Sequence, residues 1–335
     1  MCVLNDFLMI HIEHFTFNSF QTRCSVVWDD SGVCAFVDPG CASAAELSRL
    51  TAFTASRGLR PAAIMLTHAH FDHIYGVDAL VREYGIPVYM HPDEVYTLRN
   101  TNPYVCRMYG LPEPETAFAD GLLSGSAGGA ASEMGCGPTS EPGCGPVSEL
   151  GCGSGDETAS GPACGSVSEK ACGPDSGLVT VVEGDVIKVG TLRFEVIETP
   201  GHTAGGICLF EREDGVLFTG DTLFAGAIGR TDHPGGDYDQ LMKSILQKLL
   251  PLDSPTASGS AASGSDTSGS AASGLAASGS PAAPATPAGV TSAGAASAPA
   301  PRNITVVPGH GPCSDLATEG MTNPFLMPFN EPYED

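Results

Sequence analysis

Four side chains able to bind a metal ion lie within six consecutive positions of the sequence, directly after the apolar run 64–66. They are His68, His70, Asp72 and His73. Side chains of an extended chain alternate between two sides, so His68 and His70 point the same way, while Asp72 and His73 can reach a second ion. Imidazole nitrogen and carboxylate oxygen suit zinc, iron or manganese. The segment therefore predicts half of a two-metal site.

Three further candidate ligands follow apolar segments later in the chain. His202 lies in Thr-Pro-Gly-His-Thr, Asp221 in Thr-Gly-Asp-Thr and His310 in Pro-Gly-His-Gly. The neighbouring glycines let the backbone turn sharply after a strand and leave room for an ion and its water. Taken singly, each of these residues could equally be an ordinary turn residue. Together with the first four they make seven ligands, enough for two ions when one carboxylate bridges.

Charge and composition narrow the range of partners. The chain has 335 residues, a formal net charge of −24 and a pI near 4.5. Nucleic-acid binding needs Lys and Arg to displace counterions, so this charge argues against a nucleic-acid partner and favours a small-molecule substrate. Because no run of about eighteen apolar residues occurs and the first ten residues contain no Lys or Arg, we expect no membrane span and a cytoplasmic protein. The sequence makes no prediction of the oligomeric state.

The elements that must position the ligands are strands with interposed helices, which indicates an α/β (α+β) fold. Alternating or continuous apolar runs predict strands at 11–17, 24–28, 33–37, 64–66, 88–90, 179–182, 185–189, 192–198, 206–210, 216–219 and 303–307. Helical spacing predicts helices at 42–57, 74–84, 91–100 and 238–250. The candidate ligands then all fall at or just beyond strand ends.

Two tracts of low complexity interrupt this pattern. The first, 120–177, carries a Gly/Pro/Cys repeat with no Cys-x-x-Cys pair, and the second, 253–302, is almost wholly Ala, Ser, Gly, Pro and Thr. Neither can bury enough apolar surface to offset its chain entropy, so both are predicted to be disordered insertions in surface loops. Auxiliary metal or redox binding by the cysteine repeat is the alternative. Since long loops cost little extra to close, we predict one domain spanning 1–335.

In their order along the chain, the motifs resemble those of the metallo-β-lactamase superfamily, in particular glyoxalase II-like thioesterases of the short, single-domain bacterial type. The resemblance is carried by Asp-Pro-Gly at 38–40, Thr-His-Ala-His-Phe-Asp-His at 67–73, Thr-Pro-Gly-His-Thr at 199–203, Thr-Gly-Asp-Thr-Leu-Phe at 219–224 and Pro-Gly-His-Gly-Pro at 308–312. It implies an αββα sandwich with the site along one edge. It also implies that one ion is held by His68, His70 and His202 and the other by Asp72, His73 and His310, with Asp221 as the bridge.

The chemistry expected of such a site is hydrolysis. Two divalent ions, zinc with iron or manganese as alternatives, would share a hydroxide whose pKa they bring towards neutrality. We expect this hydroxide to attack a thioester such as S-lactoylglutathione, or a related ester, while the ions stabilise the oxyanion and the leaving thiolate. Asp72 and Asp221 are the candidate catalytic carboxylates, and Asp72 could orient the hydroxide. Asp38 is a candidate for holding a ligand histidine in the right tautomer.

Substrate recognition is less well specified. The resemblance does not extend to the helical carboxy-terminal domain that supplies glutathione contacts in glyoxalase II, so it does not imply glutathione recognition. The short relatives share Ile-Gly-Arg-Thr-Asp, found here at 228–232. Arg230 could meet an acidic group of the substrate, or it could be a structural arginine paired with Asp232 or a loop carbonyl.

Other functions fit part of the pattern. Persulfide dioxygenases are similar to glyoxalase II, and their single iron would be held here by His68, His202 and Asp221. The hydrolase is favoured because Asp72, His73 and His310 remain available for a second ion. A lactonase and a non-catalytic metal-binding protein are further alternatives, since a fold does not determine a function.

Overall fold

The computed structural model describes residues 10–123, 169–171, 177–253 and 303–327. Most of both low-complexity tracts, including every cysteine of the repeat, lies outside the described residues. The disorder predicted for those residues, and the single domain predicted for 1–335, therefore stay predictions.

The described ranges contain fifteen strands. In chain order they are β1 (His11–Phe17), β2 (Thr22–Trp28), β3 (Val33–Val37), β4 (Arg60–Met65), β5 (Val88–Met90), β6 (Glu169–Ala171), β7 (Leu178–Thr180), β8 (Val186–Val189), β9 (Leu192–Glu198), β10 (Ile207–Glu211), β11 (Val216–Gly220), β12 (Leu223–Phe224), β13 (Ala227–Ile228), β14 (Thr305–Pro308) and β15 (Ser314–Asp315).

The helices lie between these strands. They are α1 (Ala44–Ser56), α2 (Phe71–Ile74), α3 (Val77–Tyr84), α4 (Glu94–Tyr96), α5 (Asn102–Tyr109), α6 (Asp120–Leu123), α7 (Tyr238–Ser244) and α8 (Leu316–Thr322). A π-helical turn (Thr97–Thr101) joins α4 to α5, and a second (Ile245–Leu249) continues α7 into a 3-10 turn (Leu250–Asp253). Within the described ranges, no helix is long and apolar enough to cross a membrane.

Two sheets organise the molecule. The first has the strand order β1-β2-β3-β4-β5-β7, antiparallel from β1 to β3 and parallel from β3 onwards. The second has the order β15-β14-β11-β10-β9-β8-β6 and is antiparallel from β8 to β11. In its centre, Leu209 pairs with both Val196 and Phe218. The pair β12 and β13 forms a separate hairpin.

The packing follows from side-chain alternation along the strands. In β3, Cys34 and Phe36 pack with helix residues such as Leu50, whereas Ala35 and Val37 belong to the core shared with the second sheet. The outer face of the second sheet is covered in the same way by α7 and α8, whose Leu241 and Leu316 pack with Phe210. The order of layers is helix, sheet, sheet, helix, so the predicted αββα sandwich of α/β class is confirmed.

Several predicted elements differ in extent. The helix predicted at 74–84 is two helices, α2 and α3, separated at Gly76, where a side chain would collide with Cys41 and the Pro39 carbonyl. The helix predicted at 91–100 extends to Tyr109 through a π-helical turn. The short elements α8, β12, β13 and β15 were not predicted. Strand β6 lies within the tract 120–177, for which no regular structure was expected, and pairs in parallel with β8.

One buried carboxylate links the turns at one end of the two sheets. Asp29, which is 1% exposed, accepts a hydrogen bond from the Ser31 amide at 2.9 Å in the turn between β2 and β3. It also accepts hydrogen bonds from the amide and the hydroxyl of Thr191, both at 2.7 Å, in the turn between β8 and β9. Because both turns depend on one side chain, Asp29 stabilises the packing of the sheets at that end.

We expect Asp29→Ala to lower the free energy of unfolding by about 1–3 kcal/mol, because it removes the hydrogen bonds that the buried carboxylate accepts from Ser31 and Thr191 in two turns. Denaturant unfolding followed by circular dichroism measures this. The matched control is Asp30→Ala, since the neighbouring side chain is 74% exposed; its effect should stay within about 0.5 kcal/mol. Equal losses in the two variants would contradict the role given to Asp29.

Candidate metal centre

The loop that carries the first histidines is fixed to both sheets. Asp38 accepts hydrogen bonds from the Thr67 amide at 2.8 Å and the Thr67 hydroxyl at 2.6 Å. The Thr67 carbonyl in turn accepts a hydrogen bond from the Ile207 amide of β10 at 2.8 Å. Asp38 itself has a φ of 50°, a left-handed conformation that costs energy for a residue other than glycine. Such a strained residue is typical of a functional site, and here it positions the residue next to His68.

One cluster of ligand atoms is formed by His68, His70 and His202, all buried. Their ligand atoms lie within 4.8 Å of one another. His202 Nδ1 lies 2.7 Å from the Arg230 carbonyl and donates to it, so Nε2 is the ring nitrogen that faces the cluster. That Nε2 lies 2.9 Å from His70 Nδ1. Two ring nitrogens held at this distance suit a shared cation.

A second cluster, also within 4.8 Å, is formed by Asp72, His73 and His310. The Nε2 atoms of His73 and His310 lie 3.3 Å apart, and Asp72 Oδ2 lies 3.6 Å from the first and 3.4 Å from the second. The ring orientation of His310 is set by its Nδ1, which donates to the Phe20 carbonyl at 3.0 Å. Thr22 fixes the carboxylate by donating its hydroxyl to Asp72 Oδ2 at 2.7 Å.

Asp221 lies between the two clusters, at the end of β11. Its Oδ2 is 3.5 Å from His202 Nε2 and 3.4 Å from His310 Nε2, and its Oδ1 is 3.5 Å from His73 Nε2. A carboxylate with one group of histidines on either side can contact two ions at once. Gly309 allows this approach, because a Cβ at that position would collide with Asp221 Oδ1 and His73 Cε1.

Unpartnered buried atoms show that the site fits metal ions. Within the part of the chain that the structure describes, His68 Nε2 and Asp221 Oδ1 are among the buried polar atoms without a hydrogen-bond partner, and both face the clusters. Buried polar atoms are rarely left unpaired, because desolvation without a partner costs about 1–3 kcal/mol each. Burial, with the neighbouring imidazoles, also holds the pKa of His68 and His70 well below the ordinary value, so both rings are neutral. Neutral imidazole is the form that binds metal.

The second cluster is electrostatically different. Burial disfavours charge on His73 and His310, but the carboxylates of Asp72 and Asp221 outweigh it and raise the pKa of His73 to about 9 and that of His310 to about 11. Burial likewise disfavours charge on Asp72, yet His73 lowers its pKa to about 2. Protons on the two imidazoles therefore supply the positive charge that a cation would bring. Metal binding at this cluster must displace those protons.

The remaining candidates have distinct environments. Asp38 Oδ2 lies 3.2 Å from His73 Nδ1, where it can orient the ring. Arg230 donates to Asp232 through Nε and Nη2, both at 2.7 Å, so the structural pairing considered from the sequence is present. Its main-chain carbonyl, which no motif singled out, holds His202. Thr22 was also missed, because it approaches Asp72 from a strand 50 positions earlier.

Comparison with known proteins identifies the family of the chain. The family model of the metallo-beta-lactamase superfamily matches residues 18–259. The hydroxyacylglutathione hydrolase GloC of Haemophilus influenzae is 28% identical over 244 residues, which cover 73% of this chain and 86% of that protein. The probable metallo-hydrolase YqgX of Bacillus subtilis is 27% identical over 298 residues, 89% of each chain.

A solved structure is similar in overall fold. The crystal structure of BLEG-1 B3 metallo-beta-lactamase superposes with a TM-score of 0.58 at 25% sequence identity, covering 95% of this chain and 100% of that one. The family model, which spans more than half of the sequence, confirms the resemblance predicted from the motifs. The chain belongs to the metallo-β-lactamase superfamily.

Proposed function

We propose that this metallo-hydrolase is a glyoxalase II-like thioesterase that cleaves a small-molecule thioester with two divalent ions. We propose zinc as the metal. His68, His70 and His202 are the proposed ligands of one ion, and Asp72, His73 and His310 those of the other. The similarity to a hydroxyacylglutathione hydrolase supports the choice of a thioester.

The position of Asp221 carries the proposal. Its two oxygens lie 3.4 to 3.5 Å from histidines of both clusters, so a single carboxylate can bridge two ions. Two ions bridged in this way would supply an activated water nucleophile near neutral pH and stabilise the negative charge that develops on the substrate oxygen and the leaving thiolate.

The residues of the chain have separate tasks in this scheme. Asp72 is ionised, since His73 lowers its pKa to about 2, and it can accept a hydrogen bond from the attacking water and orient it. The Arg230 carbonyl keeps the proton of His202 on Nδ1, away from the reacting centre. Asp38 orients the His73 ring through Nδ1, the nitrogen that does not face His310. No serine or cysteine nucleophile is required.

The main alternative is a persulfide dioxygenase with a single iron on His68, His202 and Asp221. That activity would leave Asp72, His73 and His310 without a ligand function. Their convergence to within 4.8 Å favours the dinuclear hydrolase. A direct comparison of substrates decides between the two.

The purified full-length protein should contain two divalent ions per chain and hydrolyse S-lactoylglutathione. Elemental analysis gives the metal count, and thiol release gives the rate of hydrolysis. Oxygen uptake with glutathione persulfide and turnover of a cephalosporin are measured in parallel on the same sample. One iron per chain with oxygen uptake would refute the hydrolase, and cleavage of the cephalosporin alone would refute the thioester as substrate.

Asp221→Ala should lower kcat/KM for the thioester by at least about 100-fold, equivalent to about 2.7 kcal/mol of transition-state stabilisation, because both ions lose their common ligand. The metal content should fall in parallel. Asp239→Ala, an exposed aspartate in the first turn of α7, is the control and should retain both metals and activity. A fully active Asp221→Ala enzyme would contradict the bridging role.

A further inference from the structure

A helical segment behind the metal centre contacts the backbone on which the first cluster is built. This segment consists of α4, the π-helical turn and α5, without a break from Glu94 to Tyr109. We propose that two of its residues, Glu94 and Asn102, are positioning residues for the ion held by His68, His70 and His202. The inference rests on the proposed assignment of these ligands but not on the identity of the substrate.

Glu94 joins the two loops that carry the three histidines. Its side chain is completely buried, and Oε2 accepts a hydrogen bond at 2.7 Å from the amide of Ala69, which lies between His68 and His70. Its Oε1 accepts hydrogen bonds from the Thr203 hydroxyl at 2.5 Å and the Gly205 amide at 3.1 Å. Thr203 directly follows His202. One carboxylate therefore sets the distance between the loop of the first two histidines and the turn of the third.

Asn102 holds the same loop from a second direction. Its Nδ2 donates to the Ala69 carbonyl at 2.8 Å, and its Oδ1 accepts from the Phe71 amide at 3.0 Å. Ala69 and Phe71 are the two neighbours of His70, so the backbone is fixed on both sides of that ligand. Asn102 is only 2% exposed, which makes these hydrogen bonds costly to lose.

The π-helical turn places both side chains on the same side of the segment. In a regular α-helix, residues eight positions apart are separated by about 80° beyond two full turns. A π-helical turn adds one residue to the helix, so eight residues rotate about as far as seven, only about 20° short of two turns. The turn at Thr97–Thr101 lies between Glu94 and Asn102 and aligns them towards Ala69. Such turns occur frequently at functional sites.

The second cluster is supported by other residues. Asp72 is held by Thr22, His73 is oriented by Asp38, and His310 donates to the Phe20 carbonyl. Loss of Glu94 should therefore lower the affinity for the ion at His68, His70 and His202 more than the affinity for the other ion. A purely structural role would destabilise the protein without this selectivity.

The test compares Glu94→Gln with Glu211→Gln in the full-length protein. Glu211 is also buried and also accepts two backbone hydrogen bonds, but it lies at the opposite end of β10 from Ile207, which contacts Thr67. Two stepwise zinc affinities are measured by titration against a chelator. In Glu94→Gln we expect one affinity to fall about 10- to 100-fold and the other to change little. In Glu211→Gln both should remain at the wild-type values.

Two backgrounds identify the ion concerned. In His310→Ala the remaining ion is at the cluster of His68, His70 and His202, and adding Glu94→Gln should still lower the zinc affinity. In His202→Ala the remaining ion is at Asp72, His73 and His310, and adding Glu94→Gln should have no effect. Equal weakening in both backgrounds, or in neither, would overturn the inference. A wild-type protein that binds no zinc would instead refute the proposed function, so the two failures are distinguishable.

The π-helical turn is tested separately by deleting Asn100, an exposed residue whose side chain donates to the Tyr96 carbonyl. The deletion restores α-helical spacing and rotates Asn102 by about 100° away from Ala69. It should reproduce the selective loss of one zinc affinity, whereas Asn100→Ala, which keeps the turn, should not. Asn102→Ala serves the same purpose if the deletion variant does not fold. Wild-type zinc affinities in a folded deletion variant or in Asn102→Ala would contradict this part of the inference.

Discussion

The close approach of buried ligand atoms is the constraint on which the rest of the structure depends. His70 Nδ1 and His202 Nε2 lie 2.9 Å apart, and His73 Nε2 and His310 Nε2 lie 3.3 Å apart. Without a proton or a metal ion between them, lone pairs at such distances repel one another, and their burial removes the water that would reduce the cost. The surrounding backbone must therefore hold these rings in place.

The two sheets provide that rigidity. The loop 66–73 leaves the first sheet at β4, while His202, Asp221 and His310 leave the second sheet at β9, β11 and β14. Buried polar side chains then hold these loops: Asp38 and Thr22 connect the loop 66–73 to other segments of the first sheet. Glu94 connects the same loop to the turn after β9 of the second sheet. The ligand side chains are held in defined positions because they follow strand ends whose directions the core determines.

The ligands that lie close together in the sequence could be predicted from it. His68, His70, Asp72 and His73 lie within six positions, and the glycines beside the other ligands could be recognised without a structure. The layer order followed from the resemblance, and the limits of β1, β3, β5 and β9 followed from alternation of apolar residues. These features depend on neighbours along the chain, so a single sequence contains them.

The features that could not be predicted depend on contacts between residues distant in the sequence. Glu94 and Asn102 reach Ala69 across 25 and 33 positions, and no spacing rule connects them. Helical periodicity at 91–100 does not show that the segment contains an extra residue and continues as α5. The helix α8 is short and includes a glycine, so it depends on the packing of Leu316 more than on its own propensity. Strand β6 likewise exists through its pairing with β8.

Anomalous diffraction from crystals of the zinc-loaded protein, recorded at the zinc absorption edge, tests the central claim most directly. A dinuclear hydrolase centre predicts two peaks about 3.5–4 Å apart, with Asp221 between them. One peak should contact His68, His70 and His202, and the other Asp72, His73 and His310. A single fully occupied peak, with Asp72, His73 and His310 contacting no metal, would contradict the account.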